Sequence, residues 1–412
     1  MKRRLEPRRR SVYGLAALGA FVTLAIIALP EVSFRASLDG LRVFWDVVFP
    51  ALLPFFIASE VLMGLGVVHF IGALLEPFMR PVFNVPGVGA FAFAMGLASG
   101  YPIGARITSR LRREGLCSQV EAERLVSFTN TADPLFMVGA VAVGMFHTPA
   151  LGPVIAAAHY ISAVLVGLTL RFYGRDCSSD RDDQYYRRES ILARAAHELY
   201  TARKQDSRSF GQIFGDSVRE SVNTLLLIGG CIMMFSVIVR VLGVFRVTDL
   251  IAAPISAALT PLGISKELVH PMVSGVFEIT IGSELASRAA APLAQRLVIA
   301  SAVIAWSGLS VFAQVASMLF GTDVRLAPYF FARILHAILA GAVAIVLWET
   351  GPWASHAMAV PPQAGVWTVP GFFGTFWASC ANLAGALGVT LIPAALAALV
   401  HRPRVSGFRV RN

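Results

Sequence analysis

The apolar residues of this chain come in blocks about as long as a bilayer is thick. Block 11–30 reads SVYGLAALGAFVTLAIIALP, and about 20 helical residues at roughly 1.5 Å each span a hydrocarbon core of about 30 Å. Blocks of this kind predict eight crossing helices, near 11–30, 41–66, 122–146, 149–172, 221–245, 292–320, 326–348 and 371–400. We therefore predict an all-α, polytopic helical membrane protein.

Two further apolar pieces are too short to cross. They are PGVGAFAFAMGLAS at 86–99 and HPMVSGVFEITIG at 270–282, each reaching only about two thirds of a bilayer core or less as a helix. Each follows an amphipathic segment, and each precedes a charged return stretch and an interrupted apolar span. This order predicts two re-entrant hairpins, each followed by a broken helix.

The same order occurs twice along the chain. GVVHFIGALLEP at 66–77 matches GVFRVTDLIAAP at 243–254 with Gly and Pro in register. The identity is low enough for chance, but an odd number of crossings separates the copies, which is the arrangement of inverted repeats in many transporters. The predicted division is an N-terminal anchor helix and loop (1–40), a first repeat (41–172), a cytoplasmic polar linker (173–220), a second, inverted repeat (221–348), and an outer loop with the last helix and basic tail (349–412).

Charge placement agrees with a membrane protein and excludes some other classes. Only 15% of residues are charged and 56% are hydrophobic, while the net charge is +10. The basic residues flank apolar blocks, as in KRRLEPRRR at the start, which favours a topology signal over a nucleic-acid surface. By the positive-inside rule both termini are cytoplasmic, and the first block is an uncleaved helix rather than a signal peptide.

Four polar interruptions fall where helices should cross. The first pair is the hairpin tip in GLASGYPIGARI (96–107) and the break in SFTNTADPLF (127–136); the second is FEITIG (277–282) and WSGLSVFAQ (306–314). Unwound backbone at membrane depth is tolerated only where protein or a water-filled cavity satisfies its polar groups. Ser99 precedes Asn130 by 31 positions and Glu278 precedes Ser310 by 32, so the interruptions form equivalent pairs and predict a mid-membrane site. A packed glycine kink is the competing interpretation of the first.

Asp133 and Glu278 are the strongest single candidates for a functional role, because each is an acid within an apolar segment. An ionised carboxylate at the bilayer centre costs at least about 2.5 kcal/mol, so each should be protonated, paired or bound to a cation. Coupling to H⁺ or Na⁺ is one interpretation, and a structural pair with Arg106 or Arg288 is the other. Histidines and cysteines show no metal-ligand spacing, and no nucleophile elbow or P-loop occurs. We predict no metal, no cofactor and no enzymatic activity.

The longest of these motifs carry a family resemblance. VVFPALLPFFIASEVLMGLGVVHFIGALLEPFMRPVFNVPGVGAFAFAMGLASGYPIGARI, AERLVSFTNTADPLFMVGAV, FEITIG and SGLSVFAQ together resemble the YlbJ (SpoVV) family of sporulation integral membrane proteins, over about 41–331. The wider group shares the nucleoside-recognition Gate domain, which is similar to the core of concentrative nucleoside transporters. The family pattern leads us to expect an amide where Asp133 stands, and the acid therefore changes the charge of the presumed ion site.

The resemblance implies a function and residues for it. It implies movement of dipicolinic acid across the outer forespore membrane, with substrate and ion held at the hairpin tips and unwound helices. The implied substrate-binding residues are Ser99, Gly100, Tyr101, Gly104, Thr129, Asn130, Thr280, Gly282, Ser307, Ser310 and Gln314. Two alternatives remain, a transporter of a nucleoside or other small solute, and a non-transporting sporulation scaffold. The expected partners are a small anion, the bilayer, a coupling H⁺ or Na⁺ and other sporulation membrane proteins, but no nucleic acid.

Overall fold

The computed structural model describes residues 9–174 and 190–350. These residues are almost entirely helical, with no strand among them. The elements of the first half are α1 (Arg9–Ala28), α2 (Pro30–Arg42), a π-helical stretch (Val43–Val48), α3 (Phe49–Gly64), α4 (Val67–Phe78), α5 (Gly89–Ser99), α6 (Ile103–Arg113), α7 (Gln119–Thr129), a π-helical stretch (Phe136–Met145) and α8 (Leu151–Leu170). Those of the second half are α9 (Ile191–Gln205), α10 (Phe210–Val244), α11 (Val247–Leu259), α12 (Val269–Phe277), α13 (Ile279–Arg288), α14 (Leu293–Trp306), α15 (Gly308–Leu319) and α16 (Leu326–Thr350).

Local sequence explains where the main helices begin. Ser118 accepts a hydrogen bond from the Glu121 amide, and the Glu121 side chain accepts one from the Ser118 amide, so a capping box opens α7. Ser209 and Gln212 form the same motif at the start of α10. Both helices therefore start in polar sequence and run from there into the apolar core.

Five helical stretches are long and apolar enough to cross a membrane, which confirms a polytopic helical membrane protein. They are 30–64, 151–170, 210–244, 293–319 and 326–350. The 122–146 crossing is present as α7 and the following π-helical stretch, separated by an unwound segment. The prediction of a helix start at 41 was wrong, because Pro30 and Glu31 open a helix that continues through the whole polar α2. The predicted crossing at 371–400 lies outside the described residues.

The two short apolar pieces form helical hairpins that enter the bundle from opposite ends. Helices α5 and α6 form hairpin 1, whose base lies at the end where Arg112 pairs with Asp323; we call this the basic end. Helices α12 and α13 form hairpin 2, whose base at Arg288 faces a surface depression shared with Asp39 and Arg240 at the opposite end. Each hairpin stops midway, next to a broken helix. The boundaries assigned to the two repeats remain a prediction.

The remaining long helices build a wall beside the hairpins. Helix α10 runs antiparallel to α2 and α3, since a methyl group on Gly64 would touch Ile213 at 2.8 Å and one on Gly40 would touch Met233 at 3.0 Å. The largest core cluster lies between this wall and the hairpins, and includes Leu52 of α3 and Leu225 of α10. Only two side-chain hydrogen bonds among the described residues join α3 or α10 to the hairpins and broken helices. They are Ser59 Oγ to Ala98 O at 3.1 Å and Gln314 Nε2 to Cys231 Sγ at 3.9 Å.

Candidate functional site at the hairpin tips

A narrow cavity lies where both hairpin tips and both broken helices meet. It has about 50 Å³ of space for the centres of water molecules, and the wall helices α3 and α10 close one side of it. Six of the predicted site residues line it: Tyr101, Asp133, Glu278, Thr280, Ser310 and Gln314. The sequence separates the first two from the other four by more than 140 positions, so the fold alone brings them together.

Asp133 joins the first broken helix to the tip of hairpin 1. Its Oδ1 accepts hydrogen bonds from the amides of Leu135 at 3.0 Å and Phe136 at 2.8 Å, so the carboxylate caps the second half of the broken helix. Its Oδ2 lies so close to Gly100 that an added Cβ would be 2.6 Å away. Gly100 also has a φ of 69°, which side-chain-bearing residues rarely adopt. Glycine is therefore needed at the tip for conformation and for space.

Glu278 caps a helix in the same way at the tip of hairpin 2. Its Oε2 accepts a hydrogen bond from the Ile281 amide at 2.8 Å and caps α13, the returning arm of hairpin 2. The second broken helix packs on it, since a Cβ on Gly308 would lie 3.1 Å from Glu278 Cα. Among the described residues neither Asp133 nor Glu278 lies within 4.0 Å of a basic group. The predicted alternative of pairing with Arg106 or Arg288 was therefore wrong, because helix N-termini satisfy both acids and Arg288 pairs with Glu284.

Side chains from neighbouring helices satisfy the unwound backbone between Thr129 and Asp133. The Ala132 amide donates to His159 Nε2 at 3.0 Å, and the Ala132 carbonyl accepts from the Tyr160 hydroxyl at 3.1 Å. Asn130 O accepts from Arg333 Nη1 at 3.1 Å. This is the compensation that irregular backbone at membrane depth requires.

Arg333 of α16 is fully buried and touches both broken helices. Its Nη2 donates to Ser127 O at 2.6 Å, and its Nη1 lies 3.4 Å from Ala305 O. Ser127 belongs to the end of α7, and Ala305 to the end of α14. The guanidinium thus ties together the C-terminal ends of two half-helices that approach from opposite ends of the bundle.

Three other predicted polar residues are buried outside the cavity lining. Asn130 Nδ2 donates to the Tyr329 hydroxyl at 2.8 Å, while its Oδ1 has no partner among the described residues. The Oγ atoms of Ser99 and Ser307 are buried and likewise lack a partner there. The second break lies at Ser307, with φ 74°, within the predicted segment 306–314.

The remaining predicted residues serve close helix packing. A Cβ on Gly104 would lie 2.5 Å from Thr129 O, where hairpin 1 crosses the end of α7. A Cβ on Gly282 would lie 2.4 Å from Gly275 Cα, where the two arms of hairpin 2 cross. Thr129 Oγ1 donates to Leu125 O at 2.8 Å within its own helix. These positions shape the site without facing the cavity.

Sequence reasoning missed the residues of neighbouring helices that contact the unwound segments on the side away from the cavity. Arg333 and His336 lie in an apolar crossing, and His159 and Tyr160 lie in another; Tyr329 completes the group. An ionisable residue inside a spanning segment indicates a functional site. The sequence alone could therefore have identified Arg333. The described residues contain no group of three or more His, Cys, Asp or Glu side chains placed to hold a metal ion.

Comparison with known proteins gives the family. Residues 45–164 match the Gate family model, described as nucleoside recognition. The chain is 48% identical over 340 residues to the sporulation integral membrane protein YlbJ of Bacillus subtilis (strain 168), covering 81% of this chain and 82% of the relative. No solved structure matches the chain. The resemblance found in the motifs is confirmed: the chain belongs to the YlbJ family of sporulation integral membrane proteins.

Proposed function

We propose that this protein is a secondary-type transporter of a small anionic solute, dipicolinic acid, across the outer forespore membrane during sporulation. The observation that carries the proposal is the meeting of two opposed hairpin tips and two broken helices at one cavity, where an apolar lining holds two carboxyl groups and a few other polar side chains. A protein that only recruits partners has no need for unwound backbone midway through a membrane, where each unsatisfied polar group costs several kcal/mol. The basic end, with four arginines between Arg106 and Arg113, would face the cytoplasm together with both termini.

The cavity is too small to hold the solute without a change of conformation. About 50 Å³ of space for water centres corresponds to about three to five water molecules at about 10–15 Å³ each, whereas a pyridine dicarboxylate has 12 non-hydrogen atoms. A depression of about 670 Å³ at the opposite end reaches Ile281 of hairpin 2, three residues beyond Glu278 at the cavity. Opening towards this depression would provide one access route.

The contacts favour the hairpins and broken helices of the two repeats moving together rather than against each other. At the basic end Arg112 forms a two-point ion pair with Asp323, and Arg325 Nε binds the fully buried Glu123 at 2.8 Å. Each pair joins an element of the first repeat to the α15–α16 connection of the second, and Arg333 joins the repeats again at mid-bundle. The wall of α3 and α10 makes far fewer polar contacts with these elements. We infer that α3 and α10 are the surface past which the joined hairpins and broken helices move.

The two cavity acids impose a charge requirement. A dianion and two ionised carboxylates would repel one another strongly in a cavity of low dielectric constant. Entry of the anion is therefore favourable only when Asp133 and Glu278 carry protons or a bound cation. This gives the coupling: one or more H⁺ or Na⁺ ions enter with the solute.

Flux measurements on purified protein in proteoliposomes test the proposal. We expect accumulation of radiolabelled dipicolinate driven by an inward H⁺ or Na⁺ gradient, and loss of that gradient dependence in Asp133→Asn and Glu278→Gln. Asp249→Asn, in the exposed first turn of α11, is the control and should retain coupled flux. Dipicolinate flux that depends on neither gradient would refute the proposed ion coupling. Absence of any dipicolinate flux would refute dipicolinate as the substrate.

The family model's description, nucleoside recognition, supports a nucleoside as the second candidate solute. Competition between labelled dipicolinate and unlabelled uridine in the same vesicles separates the two. In cells, spore dipicolinate content should fall in strains that carry Asn130→Ala, Asp133→Asn or Glu278→Gln, provided that the protein level is unchanged.

A further inference from the structure

Two half-helices from opposite repeats end facing each other in the middle of the bundle. Helix α7 enters from the basic end and stops at Thr129, and α14 enters from the opposite end and stops at Trp306. The last carbonyl groups of a helix have no partner within it, and each C-terminus has a dipole equivalent to about −0.5 elementary charge. The two ends together place a charge of about −1 at this point.

Arg333 supplies the compensating charge. Its guanidinium is 0% exposed and donates to carbonyls of Ser127, Asn130 and Ala305. No carboxylate lies within 4.0 Å of it among the described residues, and its Nε has no hydrogen-bond partner there. The guanidinium of arginine carries a positive charge, and here that charge faces the carbonyl ends of both helices.

Tyr101 connects this cluster to the cavity. Its ring lines the cavity, while its hydroxyl donates to Ile304 O at 3.1 Å and lies 3.4 Å from Arg333 Nη1. At the cavity itself, Asp133 and Glu278 cap helix N-termini, and the first arms of the two hairpins, α5 and α12, end beside them. The negative ends of α7 and α14 are the ones that Arg333 contacts.

We propose that Arg333 is the specificity-determining residue that allows the central cavity to accept an anion, by masking the negative ends of α7 and α14 behind Tyr101. The inference rests on the proposed transport of an anionic solute and adds the residue responsible for charge selection. Without the guanidinium, the two helix C-termini would keep a net charge of about −1. Only Tyr101 would separate that charge from the bound solute, which it would repel. A neutral solute of the same shape would be affected much less.

Charge and hydrogen bonding can be separated at position 333. Arg333→Gln keeps hydrogen-bond donors and loses the charge, while Arg333→Lys keeps the charge and loses the planar, multiply donating group. Arg124→Gln is the matched control, because Arg124 is also a buried arginine on carbonyl groups, those of Asn84, Tyr173 and Gly174, but at the basic end. All three variants should lose stability, so stability alone cannot identify the role.

The test is the ratio of dissociation constants for pyridine-2,6-dicarboxylate and its neutral analogue pyridine-2,6-dicarboxamide, measured by calorimetry on purified full-length protein. We expect the wild type to prefer the dicarboxylate, and Arg333→Gln to reduce that preference by more than tenfold. Two unit charges about 10 Å apart at an effective dielectric constant of about 20 already give about tenfold, and the dicarboxylate carries two charges. Arg333→Lys and Arg124→Gln should both keep the wild-type ratio.

The outcomes separate this inference from the proposed function. A wild type that prefers the dicarboxylate, with an Arg333→Gln variant that keeps the same ratio, overturns the role of Arg333 and leaves anion transport standing. If Arg333→Gln cannot be purified folded, loss of the preference in the charged Arg333→Lys variant overturns it equally. A wild type that binds the dicarboxamide or uridine but not the dicarboxylate overturns both the anionic substrate and the inference.

Discussion

Replacing Gly96 by alanine tests the packing that holds hairpin 1 against the first broken helix. Gly96 lies in α5, and a methyl group there would come 1.8 Å from Thr129 O and 3.0 Å from Thr129 C. Those are backbone atoms at the end of α7, so they cannot swing aside as the tip of a flexible side chain would. The two helices would have to separate by roughly 1.5 Å to restore ordinary van der Waals contact.

The expected cost follows from that separation. Inserting one methyl group into a packed interior costs about 1–3 kcal/mol when neighbours can adjust, and here the neighbour is main chain that also carries the unwound segment. Alanine returns about 0.5–1 kcal/mol because glycine loses more backbone freedom on folding. Because main chain cannot move aside, we take the upper end of the packing range and expect Gly96→Ala to destabilise the protein by about 2 kcal/mol.

Thermal unfolding in detergent, followed by tryptophan fluorescence, measures the effect. Gly139→Ala is the matched control, because Gly139 is also helical and membrane-embedded, but the nearest atom to an added methyl group is 3.6 Å away. Gly96→Ala should melt several degrees below the wild type, and Gly139→Ala should melt at or above it. Equal melting temperatures for the two variants would refute the close approach of α5 to the end of α7.

Two further predictions concern single polar contacts. His159→Leu removes the acceptor of the buried Ala132 amide and should cost about 1–3 kcal/mol, read as a lower melting temperature; an unchanged value would contradict that hydrogen bond. Arg112 holds the pKa of the Asp323 carboxyl below its usual range, so their pair stabilises the fold above about pH 4 and is lost as the pH falls through that lowered pKa. Asp323→Asn should therefore melt below the wild type at pH 7, by the equivalent of about 0.5–1 kcal/mol for this half-exposed pair, and the gap should narrow as the pH falls below about 4. A gap that stays constant with pH would show that the pair is not responsible.

Periodicity and breaks in hydropathy were enough to find the architecture. The short length of 86–99 and 270–282 distinguished the hairpins from crossings, and the segments SFTNTADPLF and WSGLSVFAQ marked the broken helices. Asp133 and Glu278 stood out because carboxyl groups are rare in apolar spans, and both line the cavity. These signals are local, so one sequence carries them without a structure.

The contacts that satisfy the unwound segments could not be predicted in the same way. Arg333 contacts Asn130 across 203 positions, and no pattern near either residue names the other. The sequence predicted the second break within 306–314, but its exact residue depends on how the segment packs on Glu278, and Gly308 is the residue that meets Glu278. Pairing across the fold, unlike helix length, depends on how distant segments are packed.

The dependence of the unwound segment on Arg333 also constrains biogenesis. Helices α5 and α7 have 11 residues each, too few to enter a bilayer as independent spans. The carbonyls of Ser127 and Asn130 obtain their guanidinium only after α16 has left the ribosome, some 200 residues later. Until then the first hairpin and its broken helix would remain in the translocon or at the lipid surface, and α16 would be the segment that completes their insertion.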